Sequence, residues 1–386
     1  MESNLSILES RKILTNLGAS ALVLMVMQAA APMFAFEARS TSATANSTSS
    51  VLIQGTDIET VTAAVEAVGG HVTHRLTLID ATAAELTQQQ RAALTTAYPA
   101  WSLHANAAVE TAAKGLEKNT ESANEPTADY GSGNGDTSWD AYMNAAYTHY
   151  PGRIGADLLH SQGITGRGVT IAVLDSGIFG RAALSENTAG DLRVLAQYDA
   201  IGNKIWSPTF WQDRNGHGSH VIATAANSAA NVDDGRYNGI APDADVVLVR
   251  AFDRYGRATY ADVIRGIDWI VSNREAYGIR ILNLSMSAPV RSHYWDDPLN
   301  QAVMAAWHAG IVVVASAGNG GPDPMTVGVP GNVPYIITVG AMTDSFTAND
   351  ETDDRLTFFS AAGPTAEAFV KPDVIAHGGQ QRGQCR

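Results

Sequence analysis

Hydrophobic and polar positions divide the chain into two patterned stretches. In the first, Val51-Leu52-Ile53 is a short apolar run that predicts a strand. Asp57 stands where a helix N-cap should, ahead of Val61, Ala64, Val65 and Val68 at helical spacing and a Gly69-Gly70 stop. Val72, Leu76, Leu78 and Ile79 predict two further strands, Gln88 to Tyr98 a second helix, and Trp101 to Val109 a last strand. The order βαββαβ describes a small two-layer α+β domain over 51–112, a pattern that by itself suits a binding or chaperone module. In the second stretch, 148–386, apolar runs at Thr170 to Leu174, Val246 to Val249, Ile281 to Leu284, Ile311 to Ala315 and Ile336 to Val339 alternate with helical segments. The helices are Gly218 to Ala226, Tyr260 to Ser272 and Asp297 to Ala309. Strands without a polar face are buried on both sides, so the alternation predicts an α/β fold, a doubly wound and mostly parallel sheet.

The remaining segments are patterned differently. Arg11-Lys12 precedes an apolar run from Ala19 to Phe36, with small residues Ala31 and Ala35 near its end, which predicts a signal peptide over 1–36 and export to the cell envelope, periplasm or medium. A membrane anchor is the competing reading; Pro32 and a run at the margin of the ~20 residues of a span count against it. Residues 37–50, rich in Ser, Thr, Ala and Asn, and 113–147, with Gly131-Ser132-Gly133-Asn134-Gly135, read as linkers, the second exposed and open to cleavage. A formal charge of -14 offers no basic surface for a phosphate backbone and removes nucleic acid from the partners. Cys385 is the single cysteine, so neither an internal disulfide nor a cysteine zinc site can form.

Four places carry polar groups where chemistry can use them. Ile171 to Ile178 is a buried strand stopped by Asp175 and a Ser176-Gly177 turn, and strand C-termini of open α/β sheets are where ligands collect. An Asp there is also an ordinary turn or cap residue. Asp213-Arg214-Asn215-Gly216-His217-Gly218-Ser219-His220 opens an apolar helix; its glycines leave the His217 imidazole uncovered as a general base, or the histidine is incidental to a capping loop. His217 and His220 have the spacing of a metal pair, but no acidic third ligand lies close in sequence and no metal site is assigned. Ile311 to Gly321 is another buried strand, ending at Asn319, which either donates to an oxygen gaining negative charge or occupies a left-handed turn. Ile281 to Ser287 is a strand whose polar end can pair with an extended peptide.

Taken in this order, the motifs resemble those of the subtilisin-like serine proteases from about Gly155 to Ala376, and 51–112 resembles that family's ferredoxin-like inhibitory propeptide. The matching stretches are Val173 to Gly177, Asn215 to Val221 and Ala315 to Gly321, supported by Gly239-Ile240-Ala241-Pro242, Val339-Gly340-Ala341, Phe359 to Pro364 and Lys371-Pro372-Asp373. The resemblance implies a secreted endopeptidase in which Asp175 orients and stabilises the imidazole, His217 is the general base and Asn319 the oxyanion-hole donor. It implies that Ser285, Met286, Ser287, Ser316, Ala317 and Gly318 flank the primary specificity pocket and bind the backbone of a protein or peptide substrate. It further implies a propeptide bound in cis, with no cofactor required. The family usually has Thr at 219 and Gly at 287; Ser219 keeps the hydroxyl, while Ser287 narrows the pocket.

The family's nucleophile stands in Gly-Thr-Ser-Met-Ala, beyond the Lys-Pro-Asp motif. Here Lys371 to Ala376 runs into ten last residues without apolar period, and no Gly-Thr-Ser occurs. The expectation is a C-terminally incomplete sheet, as from an out-of-frame or truncated ending, and a chain inactive or nearly so. Blocked self-cleavage and apolar sheet surface left in water are its corollaries. Neither Ser360, in a structural turn of the family, nor Ser316, on the pocket wall, has a nucleophile's strand-to-helix setting. Asn227 to Gly239, with Asp233 and Asp234, is the candidate for a structural calcium, and Asp344 to Asp354 reads as solvated. The alternative from another class is a non-catalytic peptide-binding or protease-inhibitory protein that uses the propeptide-like domain.

Overall fold

The computed structural model describes residues 47–112 and 148–378, apart from 233, 346, 348 and 349. The signal segment and the second linker lie outside the described residues. In β1 (Thr48–Gln54), Val51, Leu52 and Ile53 are all buried, because the sheet they belong to is covered on both faces. On one face α1 (Ile58–Ala67), capped by Asp57 Oδ1 at 2.8 Å from Thr60 N, and α2 (Gln88–Ala97), opened by a Thr87/Gln90 capping box, enclose Val51, Ile53, Val61, Val65, Leu86 and Leu94. The other face contributes Leu52, Leu76, Ala81 and Ala83 to the main core. With β2 (His71–Leu76), β3 (Ala81–Thr87) and β4 (Ser102–Ala105) the sheet has the order β2-β3-β1-β4, all neighbours antiparallel, which is the split βαβ arrangement.

Three details differ from the sequence expectation. The first strand starts at Thr48 rather than Val51, since Thr48, Ser49 and Ser50 continue the ladder opposite Thr87, Leu86 and Glu85. Leu78 and Ile79 belong to a 3-10 turn, Thr77–Ile79, and pack against the main core instead of forming a strand. The segment from Trp101 to Val109 breaks after β4, and β5 (Ala108–Thr111) leaves the small sheet altogether.

The large sheet is built from β6 (Thr170–Asp175), β8 (Val194–Asp199), β11 (Asp245–Arg250), β13 (Ile279–Leu284), β15 (Val312–Ser316), β16 (Ile337–Thr343) and β18 (Val374–His377). Short strands occupy the connections: β7 (Gly177–Ile178), β9 (Lys204–Trp206), β10 (Gln212–Asp213), β12 (Arg257–Thr259), β14 (Met286–Ser287) and β17 (Arg355–Leu356). The parallel order is β8-β11-β6-β13-β15-β16-β18, with β9 and β17 added antiparallel. The apolar pattern did not announce β8, whose run is interrupted by Gln197; its Nε2 is satisfied by Ser207 O at 3.2 Å and Pro208 O at 2.9 Å. Alternate residues of β6 enter different cores. Val173 lies with Ile222 of α3 (His217–Ala226), while Ala172 and Leu174 lie with Ile264 of α4 (Tyr260–Ser272) and Val303 of α5 (Pro298–His308). At β6 helices therefore cover both faces, as its unbroken apolar run required.

From β6 the chain goes out to β8, returns to β11 between them, and then crosses to β13 on the other side of β6. The winding thus reverses at β6, and the crevice at its C-terminal end, where Asp175 stands, is the switch point of the sheet. On the opposite side of the sheet, along β15, β16 and β18, Val312, Ile337, Val374 and Ile375 are 40%, 37%, 52% and 49% exposed. Among the described residues no helix is long and apolar enough to cross a membrane.

Candidate active site

Asp175 closes β6 with its side chain 2% exposed, and His217, first residue of α3, is 11% exposed. His217 Nδ1 lies 2.8 Å from Asp175 Oδ1 and 2.9 Å from Oδ2. Two glycines permit this approach. A Cβ on Gly177, whose φ is 132°, would fall 1.9 Å from Gln212 O, and one on Gly218 would fall 2.4 Å from Gly177 O. Strand end and helix start therefore meet backbone to backbone.

A second, buried carboxylate fixes the loop. Asp213 Oδ1 accepts from Gly216 N at 2.8 Å, Ser176 Oγ at 2.9 Å and Asn215 N at 3.1 Å, while Oδ2 accepts from Ser219 Oγ at 2.7 Å and Ser219 N at 2.9 Å. Ser176 Oγ in turn accepts from Gly218 N at 2.9 Å, and Ser219 Oγ from Phe179 N at 2.9 Å. The hydroxyl kept at 219 is thus in use. Sequence reasoning gave Asp213 and Ser176 no role; an Asp just ahead of a helix was the available signal, and it reads as an ordinary turn. Burial works against the imidazolium, but the Asp175 charge and hydrogen bond, with Asp213 behind, hold His217 above its ordinary pKa. Burial and the neighbouring His217 push His220 below its own.

The remaining site residues gather around a strand from the small domain. β5 lies between β12 and β14, with Val109 opposite Ala258, Glu110 opposite Arg257 and Ser287, and Thr111 opposite Met286. Thr111 N donates to Gly256 O and Ala112 N to Ser285 O, both at 3.0 Å. Asn319 Nδ2 donates to Ala112 O at 2.8 Å. The left-handed turn at this point is made by Gly318, at φ 103°, and Asn319 has no positive φ. Ser316 Oγ bonds Met286 O at 2.8 Å and ties Ser316, Ala317 and Gly318 to the wall formed by Ser285, Met286 and Ser287. That the polar residues following the Ile281 to Leu284 run pair with an extended peptide was legible. That the peptide is residues 108–112 of the same chain was not.

Among the described residues no hydroxyl is hydrogen-bonded to His217 Nε2. Ser360 Oγ instead accepts from Ala341 N at 2.9 Å, and Ser285 Oγ from Asn283 Nδ2 at 2.9 Å. In the loop considered for calcium, Asp233 lies outside the described residues and Asp234 Oδ2 is bonded to Arg236 Nε at 2.8 Å. Among the described residues no group of three or more His, Cys, Asp or Glu side chains is arranged to hold a metal ion.

The model of the subtilase family, peptidase S8, matches residues 166–385, more than half of the chain. The chain belongs to the subtilase family. It is 38% identical over 224 residues to the serine protease AprX of Bacillus subtilis (strain 168), covering 57% of this chain and 48% of AprX. It is 36% identical over 222 residues to subtilisin E of the same organism, covering 56% of this chain and 50% of that protein. This subtilase thus spans about half the length of the curated relatives it matches. Among solved structures, fervidolysin from Fervidobacterium pennivorans, described as a keratinolytic enzyme related to subtilisin, covers 83% of this chain and 47% of its own at a TM-score of 0.54 and 21% identity. That likeness is one of fold.

Proposed function

We propose that this subtilase is the precursor of a secreted serine endopeptidase acting on protein or peptide substrates, with residues 48–112 as an inhibitory propeptide bound in cis. The observation that carries the reading is the 2.8 Å hydrogen bond from Asn319 Nδ2 to Ala112 O, made while Ala112 N is held by Ser285 O. A backbone carbonyl resting on a carboxamide donor, in a strand clamped on both edges, is the posture of a peptide bond about to be attacked. On attack the carbonyl oxygen would gain charge beside Asn319. His217, steadied by Asp175, would take the nucleophile's proton and return it to the leaving amine, the nitrogen of Ala113.

Residues 1–386 contain no Gly-Thr-Ser, so the chain of this length is read as binding its own strand far better than it cuts it. In subtilisin, loss of the nucleophilic serine lowers turnover by about a million-fold. The filled cleft also supports a second reading, a peptide-binding or protease-inhibitory protein without catalysis. The nucleotide sequence beyond codon 376, read in all three frames, separates them. The precursor reading expects Gly-Thr-Ser-Met-Ala in one frame; its absence from all three, together with tight inhibition of an active subtilase in titration, favours the inhibitor. A fluorophosphonate probe should leave the 386-residue chain unlabelled, and stoichiometric labelling at one residue would overturn its inactivity.

A further inference from the structure

We infer that the Ser287 hydroxyl closes the pocket beside Ala112, so that the cleft accepts alanine-sized side chains at the acyl position, as in its own Ala112. The protease reading enters only in calling residue 112 the acyl side of a scissile bond; the pocket's size stands on geometry.

Ala112 is bracketed by Ser285, which receives its N–H, and Asn319, which donates to its carbonyl, and the two segments that carry these residues approach each other at Gly318 and Ser287. Gly318 belongs to one wall, and Gly328 N bonds Ala317 O at 3.0 Å behind it. A Cβ added to Gly318 would lie 2.6 Å from Ser287 Oγ, and one added to Gly328 would lie 2.2 Å from the same atom. The hydroxyl therefore already fills the space that these two glycines leave open. The walls cannot spread to make more. Ser316 Oγ holds Met286 O at 2.8 Å, and Ala288 N and Val329 N each bond the other's carbonyl at 2.9 Å. An aromatic ring at position 112 meets Ser287 Oγ, and in a packed site that overlap strains side chain or backbone.

The test is a double-mutant cycle on the full chain, read by hydrogen exchange at amides 111 and 112, which are bonded only while β5 is docked. Ala112→Phe should lower their protection by about tenfold or more, the scale of an overpacked site. In the Ser287→Ala background the same Ala112→Phe change should lower protection by no more than about twofold relative to Ser287→Ala alone. If that variant fails to fold, Ser287→Gly takes its place in the cycle. Equal losses in both backgrounds, or no loss with Ala112→Phe alone, would overturn the inference. No bond is cut in this experiment, so a failure of the protease reading leaves its outcome untouched.

Discussion

A buried imidazole ordinarily gives up its proton more readily, and His217 does the reverse because a carboxylate faces it at 2.8 Å. Asp175→Asn removes the charge and leaves the burial. His217 should then titrate below its ordinary value of about 6.5, where in the parent chain it titrates above it. An imidazole NMR titration reads this directly, and an unchanged midpoint would mean that the pair does not act on the histidine. The sign carries over to stability. Because the folded pKa is raised, the pair's contribution is complete below about pH 6.5 and is lost as pH climbs through the folded value, and the Asn variant should lack that slope. Both members of the pair were legible in the sequence, since each ends or begins an apolar element. Asp213 was not, because the five donors it satisfies come from the turn after β6, the histidine loop and the first turn of α3, whose meeting no linear pattern records.

At the scale of elements, β5 is the segment whose partner sets the chemistry. Its backbone groups are no different from those of β4, yet it pairs with β12 and β14 across the large domain. Asn106 marks the departure. Its Nδ2 still donates to Ser50 Oγ of the small sheet at 3.1 Å, while its Oδ1 accepts from Ala261 N at the start of α4 at 2.9 Å. Ala107 O then takes Tyr260 N at 2.9 Å, and the strand continues into the cleft. Val109→Ala deletes two buried carbons and should cost about 2 kcal/mol, read from the urea midpoint. A change under about 0.5 kcal/mol, the size expected of an exposed position, would indicate that the strand is not docked in solution.

Over the whole molecule, the small sheet acts as a cover for α4 and α5. Leu78 N bonds Asp268 Oδ2 at 3.2 Å, His74 Nε2 lies 3.2 Å from Asp262 Oδ1, and Gln54 Nε2 bonds Gln301 Oε1 at 2.6 Å around the shared apolar face. Among the described residues, β15, β16 and β18 on the far side of the large sheet have no such cover at Val312, Ile337, Val374 and Ile375. At ~25 cal/mol per Å² of apolar surface left in water, a few such side chains weigh against a total stability of ~5–15 kcal/mol. The chain of 386 residues should therefore bind a hydrophobic dye before its thermal transition. A cooperative transition with little dye bound would show that this side is covered in solution.

The chain's own pattern determined that an α+β unit precedes a parallel α/β sheet, and it put a carboxylate, an imidazole and a carboxamide at the ends of buried elements. Those are local outcomes: apolar periods, caps and glycine stops act within a dozen residues. Tertiary structure alone decided that residues 108–112 lie on Asn319 and Ser285, that Asp213 organises the histidine loop, and that Ser287 reaches between two glycines distant in sequence. Each of these depends on where backbones cross, and a crossing is fixed by the packing of whole layers rather than by the residues that meet there.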